Sequence, residues 1–322
     1  MVEPVETTGP TTVPRVGHQV VAVVVTWNRA ALLERVLRAL VAGTTKPGAV
    51  VVVDNASTDE TPALLERLTD ELATPMTIVR LDHNSGGAGG FHAGLAAAQD
   101  LDGELFWLMD DDGEPEPDCL ARLLEHMDDF DFVGPAVVAE GDVQQLCFPI
   151  RVPGTASALR SVADVDRAAE DGLLRDIVIP FNGVLISTAL VERVGLPRSE
   201  FFIWGDDVEY LWRARAAGAR IATVVGARFR HPSTDDLGTP LMFGRTTYNH
   251  SPSDLKHYCM CRNNVVNLRA HRGLLGVLAF VVKTFWFYLF TRRDLGRLRL
   301  SIEAMLAGWR GDFTGHRRFL DG

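Results

Sequence analysis

Residues 105–112 read LFWLMDDD, five apolar residues followed directly by three aspartates. The apolar run predicts a strand buried in a sheet. Three adjacent carboxylates repel one another unless a cation or hydrogen-bond donors neutralise them. Because residues i and i+2 of an extended chain point to the same side, we expect Asp110 and Asp112 to face one cation while Asp111 turns elsewhere. Oxygen ligands of this kind favour Mg²⁺ or Mn²⁺. The alternative is a solvated acidic turn before a helix near residues 116–120.

The chain before this stretch alternates between apolar and helical segments. Strands are predicted at residues 20–26, 49–53 and 76–81, and helical patterns follow Asn28, begin at Glu60 and continue around residues 91–99. Such alternation is typical of βαβ units. The sequence therefore predicts an α/β fold with a largely parallel, Rossmann-like central sheet flanked by helices.

Polar residues follow each of the four predicted strands. They occupy residues 26–29, 54–59, 84–90 and 110–112. Taken singly, each is as well explained by a helix cap or a turn. Ligands of open α/β sheets bind beyond the carboxyl ends of the strands, however, and four such segments in succession favour a cleft for a nucleotide sugar.

A second acidic cluster, WGDDVE at residues 204–209, follows the apolar residues 201–203. Burial against apolar surface raises the pKa of a carboxylate and makes it a better proton acceptor at neutral pH. One of Asp206 and Asp207 is expected to cap the helix that runs to Ala217. The other carboxylate is then free for proton transfer.

Charge is distributed unevenly along the 322 residues. The net charge is −10, yet residues 257–322 hold 11 Lys and Arg against four Asp and Glu. A basic tail on an acidic body indicates an anionic partner. No nucleic-acid recognition motif accompanies it, so nucleic acid is an unsuitable partner and a membrane surface a better one. The four cysteines form no Cys-x-x-Cys pair and are expected to be reduced core thiols of a cytoplasmic protein.

The apolar segment 274–290 within this tail is interrupted at Lys283 and Thr284. It is short for a membrane span, which needs about 20 residues, and arginines flank it. We expect an interfacial element at a membrane surface, the alternative being a helix covered by the catalytic domain or by a second copy in a homo-oligomer. The predicted organisation is a disordered arm at 1–17, a catalytic domain at 18–256 and a basic, apolar C-terminal helical region at 257–322.

The motifs in this order resemble glycosyltransferase family 2, the inverting transferases of the GT-A fold. The resemblance covers roughly residues 19–265 and rests on the TWNR, VDNASTD, NSGGAGGF, DDD and DDVE motifs, taken together. The segment NSGGAGGF is similar to the rhamnosyl- and galactofuranosyltransferase branch. The triple Asp and Trp204 favour the actinobacterial galactofuranosyltransferases that initiate the galactan of cell-wall arabinogalactan.

The resemblance implies a role for each site residue. Donor-binding residues would be Thr26 and Arg29 at the nucleotide end, Asp54 at the uracil ring, and Asn84, Gly87, Asp110, Asp111 and Arg262, the last on the diphosphate. Asp110, Asp112 and His231 would be the metal ligands. Asp207 would be the catalytic base, with Asp206 and Trp204 binding the acceptor.

The resemblance also implies the reaction. Galactofuranose would pass, with inversion and with Mn²⁺ or Mg²⁺, from UDP-galactofuranose to a rhamnosyl-N-acetylglucosaminyl-diphosphate polyprenol. This would occur at the cytoplasmic face of the plasma membrane, through a peripheral contact. Transfer from dTDP-rhamnose is the alternative within the family. A sugar-phosphate nucleotidyltransferase is the alternative of another class, although such an enzyme is expected to carry a Gly-rich, Lys-containing loop where this chain has residues 26–29.

Overall fold

The computed structural model describes residues 19–152, 158–232, 238–241 and 246–320. The predicted arm at 1–17 lies outside them. The first half of the chain forms the elements β1 (Val20–Thr26), α1 (Ala30–Ala42), β2 (Ala49–Asp54), α2 (Thr61–Glu71), β3 (Met76–Arg80), α3 (Gly86–Gln99), β4 (Leu105–Asp110), β5 (Glu114–Pro115), α4 (Cys119–Leu124), β6 (Phe132–Ala139) and β7 (Asp142–Arg151). The second half forms β8 (Ala158–Ser161), α5 (Val162–Ala168), β9 (Leu173–Arg175), β10 (Asn182–Ser187), α6 (Thr188–Val194), α7 (Asp206–Ala216), β11 (Ile221–His231), β12 (Thr239–Leu241), β13 (Thr246–Tyr248), α8 (Asp254–His271), α9 (Gly273–Trp286) and α10 (Leu295–Arg310).

One large mixed sheet organises the described part of the chain. Its order is β3-β2-β1-β4-β10-β6-β11-β5. The four strands β3, β2, β1 and β4 are parallel, as predicted. β10 is antiparallel to both of its neighbours, β4 and β6, whereas β6 and β11 are again parallel. The carboxyl ends of β1, β2 and β4 therefore meet at one edge of the sheet.

Helices cover both faces of the sheet because the central strands are apolar on both sides. All seven residues of β1 are buried. Alternate strand residues pack against α1, α2 and α4 on one face, and the intervening residues pack against α3, α6 and α7 on the other. This two-sided burial explains why the strands are continuous apolar runs.

The Gly-rich segment is helical from Gly86, whereas the sequence predicts a helix only around residues 91–99. Glycine is a poor helix former, so the pattern favoured a loop. Close packing explains the difference: a Cβ at Gly90 would overlap the side chain of Val25, and one at Gly94 that of Val23. The glycines let the helix lie directly on β1, and Gly86 itself has φ of +71°, a conformation that disfavours other residues.

The C-terminal helices form a bundle with its own core beside the catalytic sheet. α8 and α10 approach closely because residue 308 is glycine, where a Cβ would overlap the carbonyl of Arg262. The run Gly273–Thr291, with a π-helical last turn, is 19 residues long with a mean hydropathy of 1.8, so length and composition would allow it to cross a membrane. It is longer than expected because Gly273 and Thr291 extend it. The polar Thr284 is accommodated within this apolar run because its hydroxyl forms hydrogen bonds with the carbonyl of Phe280 and the hydroxyl of Tyr248.

Candidate active site

The ends of β1 and β4 are joined by polar contacts to Asp111. Its carboxylate accepts a hydrogen bond from the Thr26 hydroxyl at 2.7 Å and one from Arg29 at 3.0 Å. The same Arg29 nitrogen lies 2.7 Å from the carboxylate of Asp112. The structure therefore brings these four predicted residues together at one edge of the sheet. Asp111 points toward β1 through Thr26, yet it shares the Arg29 guanidinium with Asp112.

The end of β2 and the segment before α3 lie next to each other and are fixed by further hydrogen bonds. The buried carboxylate of Asp54 accepts the backbone N–H of Ser57 at 2.9 Å. Asn84 accepts the N–H of Gly86 at 2.8 Å. Gly87 faces open space, since a Cβ there would meet no heavy atom within 4 Å. A missed residue, Asn55, joins these segments by donating to the Gly86 carbonyl at 2.9 Å.

Asp112 pairs with a histidine from a distant strand. β4 ends at Asp110 and the chain turns at once, so Asp112 points toward His231 at the end of β11, with Oδ1 3.2 Å from Nε2. Burial opposes protonation of His231, but its hydrogen bond with Asp112 outweighs this and raises its pKa to about 10. Burial also disfavours the charged form of Asp112, which would raise its pKa. His231 and Arg29 together outweigh this and hold the pKa of Asp112 below the usual value. Asp110 has a pKa well above the usual value, because of burial and the charges of Asp112 and Asp111.

The Asp112–His231 pair fits a divalent cation. Oδ1 of Asp112 is buried without a hydrogen bond of good geometry, despite the nearby imidazole. A carboxylate oxygen and a neutral imidazole nitrogen are ligands that Mn²⁺ accepts, so a bound cation would displace the proton that His231 holds beside Asp112. Within the described residues, however, no three His, Cys, Asp or Glu side chains converge on one point. The expected set of Asp110, Asp112 and His231 is thus not assembled by the protein alone, and substrate phosphates or water would complete the shell.

Asp206 and Asp207 begin α7 as its first two residues. The N-cap is Gly205, with φ of +85°, so the expectation that one of the two aspartates caps the helix is wrong. Burial and the neighbouring Asp207 raise the pKa of Asp206 to about 8. Burial also raises the pKa of Asp207, against a 2.7 Å hydrogen bond from the N–H of Val208. Asp206 is only 7% exposed, whereas Asp207 is half-buried and therefore the more accessible acid.

The two acidic clusters lie within electrostatic reach of each other. The charge of Asp206 is among the causes that raise the pKa of Asp110, although 96 positions separate them in the chain. The Gly-rich turn contacts the loop before α7 as well: the N–H of Ala88 donates to the carbonyl of Phe202 at 3.0 Å. The Gly-rich turn and the loop before the acidic pair are therefore in direct contact.

Arg262 does not lie in the cleft, contrary to the role implied for it. Its side chain is fully buried in α8, and its guanidinium donates to the carbonyls of Phe201 at 2.7 Å and Phe313 at 3.2 Å. A third contact, at 3.0 Å, reaches Nδ1 of His316. Burial lowers the pKa of this histidine to about 4, so it is neutral and can accept. Arg262 thus holds the loop before the acidic pair.

Two asparagines that sequence reasoning did not single out as positioning groups share this task. The amide of Asn263 donates to the carbonyls of Phe201 at 3.0 Å and Trp204 at 2.7 Å, and Asn267 donates to that of Gly205 at 2.7 Å. The sequence feature that could have identified them is their spacing of four residues, which places both amides on one face of a helix. Trp204 is half-buried, has φ of +73° and packs against the C-terminal core.

Comparison with known proteins identifies the family. Residues 21–166 match the family described as Glycosyl transferase family 2. Galactofuranosyltransferase GlfT1 of Mycolicibacterium smegmatis is 35% identical over 91% of this chain and 97% of the relative. Its namesake from Mycobacterium tuberculosis H37Rv is 33% identical over 86% of this chain and 91% of the relative.

Solved structures show the same fold at lower identity. GalNAc-T7 with UDP, GalNAc and Mn²⁺ has a TM-score of 0.58 at 15% identity, over 79% of this chain and 48% of that one. Staphylococcus aureus TarS 1–349 with UDP-GlcNAc has a TM-score of 0.54 at 17% identity, over 93% and 89%. The Pyrobaculum calidifontis mannosyltransferase with GDP-Man and Mn²⁺ has a TM-score of 0.52 at 18% identity, over 96% and 80%. The chain therefore belongs to glycosyltransferase family 2 and is a glycosyltransferase of the GT-A fold.

Proposed function

We propose that this glycosyltransferase transfers galactofuranose, with inversion, from UDP-galactofuranose to a rhamnosyl-N-acetylglucosaminyl-diphosphate polyprenol, and that it requires Mn²⁺ or Mg²⁺. The observation that carries the reaction type is the pair Asp206 and Asp207 at the start of α7, whose preceding loop accepts a hydrogen bond from the Gly-rich turn, from the N–H of Ala88 to the carbonyl of Phe202. The names of the two relatives, over most of the chain, support the donor sugar.

The chemistry assigns one task to each acid. Asp207, the more accessible, accepts the proton of the acceptor hydroxyl as that oxygen bonds to the anomeric carbon. The bond from this carbon to the diphosphate oxygen breaks on the opposite face and releases UDP. Asp206 stays protonated at neutral pH and hydrogen-bonds the acceptor sugar. A divalent cation on Asp112 and His231 would supply positive charge to the departing diphosphate.

Donor binding follows from the strand ends. Thr26 and Arg29 fix the carboxylate of Asp111. Their preorganised contacts suit the ribose and phosphates of a nucleotide, and Asp54 with the open Gly87 suits the uracil side. Asn84 fixes the turn at Gly86 and thus shapes the donor pocket. These roles are inferred from position and from the chemistry of each group.

The acceptor is a lipid, so we place the enzyme at the cytoplasmic face of the plasma membrane. The outer face of α9 and of the π-helical turn that continues it exposes seven apolar side chains, with arginines near both ends: Leu274, Leu275, Leu278, Val282, Phe285, Leu289 and Phe290. Such a face suits the interface of an anionic bilayer. The alternative is that a second copy of the chain covers this face.

An assay of UDP and dTDP release tests the function. The purified protein is supplied with Mn²⁺, a rhamnosyl-N-acetylglucosaminyl acceptor, and UDP-galactofuranose, UDP-galactopyranose or dTDP-rhamnose in turn. We expect acceptor-dependent release from UDP-galactofuranose alone, with Asp207→Asn as the inactive control. Release from dTDP-rhamnose would instead make the protein a rhamnosyltransferase. Diphosphate formation from UTP and a sugar 1-phosphate would identify a nucleotidyltransferase and refute the proposal.

A further inference from the structure

An open groove of about 390 Å³ lies where the last turns of α8 and α10 meet the segment before Phe201. Three arginines from separate elements line it, Arg198, Arg269 and Arg310, together with Trp309 and Phe313. Its volume falls within the roughly 300–1,000 Å³ of small-ligand sites. None of these residues belongs to the donor site.

The charges around the groove leave it cationic. Arg198 pairs with Glu200 at 2.8 Å. Arg269 stacks over the ring of Trp309 and donates one hydrogen bond to its carbonyl, so other guanidinium N–H groups remain available. Arg310 makes no hydrogen bond or ion pair with any residue that the structure describes, although Asp312 is near enough to interact by charge.

Helix dipoles account for only part of this arrangement. Arg269 and Arg310 lie near helix C-termini, where a cation is stabilised by the helix dipole. Arg198 lies on another element and borders the same space, over the rings of Phe201 and Phe313. Guanidinium groups grouped in this way suit the oxygens of a diphosphate, which accept two parallel hydrogen bonds from one arginine.

The surroundings of the groove match a lipid diphosphate better than a free one. α9 begins three residues after Ala270, which also lines the groove, and its first turns expose Leu274, Leu275 and Leu278. On the other side, the Phe313 ring stacks on Phe201 with 5.7 Å between centroids. Phe201 lies five residues before Asp206, so the groove adjoins the loop that carries the acidic pair.

We propose that the Arg198–Arg269–Arg310 groove binds the diphosphate of the lipid-linked acceptor. The isoprenoid chain then runs along the apolar face of α9, and the glycan reaches from the groove toward Asp207. This inference rests on the proposed function, because it needs an acceptor that carries a diphosphate. It adds a binding site for the part of the acceptor that does not react.

Two acceptors with the same disaccharide test it in the absence of vesicles. One carries a diphosphate and a short, water-soluble farnesyl chain; the other is the neutral octyl glycoside. The variant carries Arg269→Gln and Arg310→Gln, and Arg299→Gln is the matched control, since Arg299 is an exposed residue of α10 that does not line the groove. Melting temperatures check that each variant is folded.

We expect the double variant to raise KM for the diphosphate acceptor by about 10-fold, because it removes two charge-assisted hydrogen bonds in partly exposed positions. KM for the octyl glycoside and the affinity for UDP should stay unchanged. An equal change in KM for both acceptors, or no change in KM for either, would refute the proposed role of the groove. A change that occurs only when anionic phospholipid vesicles are added also overturns it, because the groove then binds lipid headgroups. If the wild type uses neither acceptor, the proposed function is refuted, and with it the proposed role of the groove.

Discussion

The guanidinium of Arg262 donates a 2.7 Å hydrogen bond to the carbonyl of Phe201, and both groups are buried. The same side chain reaches the carbonyl of Phe313, so one residue of α8 joins the loop before the acidic pair to the C-terminal segment. Because this guanidinium is fully occupied by the protein, we infer that it positions the base and does not bind the donor.

The first prediction therefore concerns Arg262→Lys. A single ammonium group cannot span both carbonyls, so the loop should shift and kcat should fall by about 10- to 100-fold. The Kd for UDP with Mn²⁺, measured by calorimetry, should stay within about 2-fold of the wild-type value, since we assign donor binding to other residues. Arg299→Lys is the control. A large loss of UDP affinity with an unchanged kcat would restore the donor role of Arg262.

Asp112→Asn tests the metal pair. The variant keeps the shape of the side chain but lacks the charge that a cation needs beside His231. We expect the Mn²⁺-dependent gain in UDP affinity to fall by more than about 10-fold, since even indirect partners of metal ligands cost that much. Calorimetry with and without Mn²⁺ measures it, with the exposed Asp70→Asn on α2 as control. An unchanged Mn²⁺-dependent gain would refute the metal role.

Asp207→Asn and Asp206→Asn separate the two acids. Loss of a general base typically lowers kcat by about 10²- to 10⁴-fold, and we expect this for Asp207→Asn with little change in donor Kd. Asp206→Asn should instead raise the KM for the acceptor. Steady-state kinetics of both variants decide the matter. If Asp206→Asn loses kcat while Asp207→Asn keeps it, the roles are exchanged.

Burial of Asp206 also predicts how stability depends on pH. Between the unfolded pKa of about 3.9 and the folded pKa of about 8, the folded chain holds one proton more than the unfolded chain at this residue. This group therefore makes the fold less stable as pH rises through that window. Asp206→Asn removes the effect, so its melting temperature should exceed that of the wild type by a margin that grows from pH 5 to pH 8. Melting curves at four pH values test this, and a constant margin would contradict it.

The exposed face of α9 predicts binding to anionic vesicles. Leu275 is 81% exposed and Leu278 is 58% exposed, so Leu275→Asp with Leu278→Asp should leave the fold intact and weaken co-sedimentation. Val143→Asp is the matched control, because Val143 is an exposed apolar residue of the distant strand β7. Point variants are preferable to deletion beyond Arg269, which would remove α10 from its contact with α8. A dimeric wild type that the double variant makes monomeric would show that a second copy covers this face.

The donor side of the fold was largely predictable from the sequence, because its signals are local. The run before Thr26 is apolar at nearly every position, and the three aspartates follow another such run, so strands and their polar ends could be read directly. The antiparallel pairing of β10 could not be predicted from the sequence. Its six residues carry no period that separates antiparallel from parallel pairing, and its place between β4 and β6 depends on distant contacts.

The role of Arg262 was hidden for a different reason. α8 is buried on several sides and mixes polar with apolar residues, so no amphipathic pattern shows which way Arg262 points. Its partner carbonyl belongs to Phe201, 61 residues earlier, and backbone carbonyls leave no mark in the amino-acid sequence. The family resemblance favoured a phosphate contact, and only the assembled bundle shows that the guanidinium already has protein partners.

The acidic pair on α7 lies outside residues 21–166, the part that matches the family, whereas Thr26, Asp54 and Asp110 lie inside it. The family match therefore covers the residues that we assign to the donor and stops before those that we assign to the acceptor. A match over this range alone says nothing about the residues that we propose bind the acceptor. Sorting such enzymes by what they build requires the loop at 201–205 and the helices that support it.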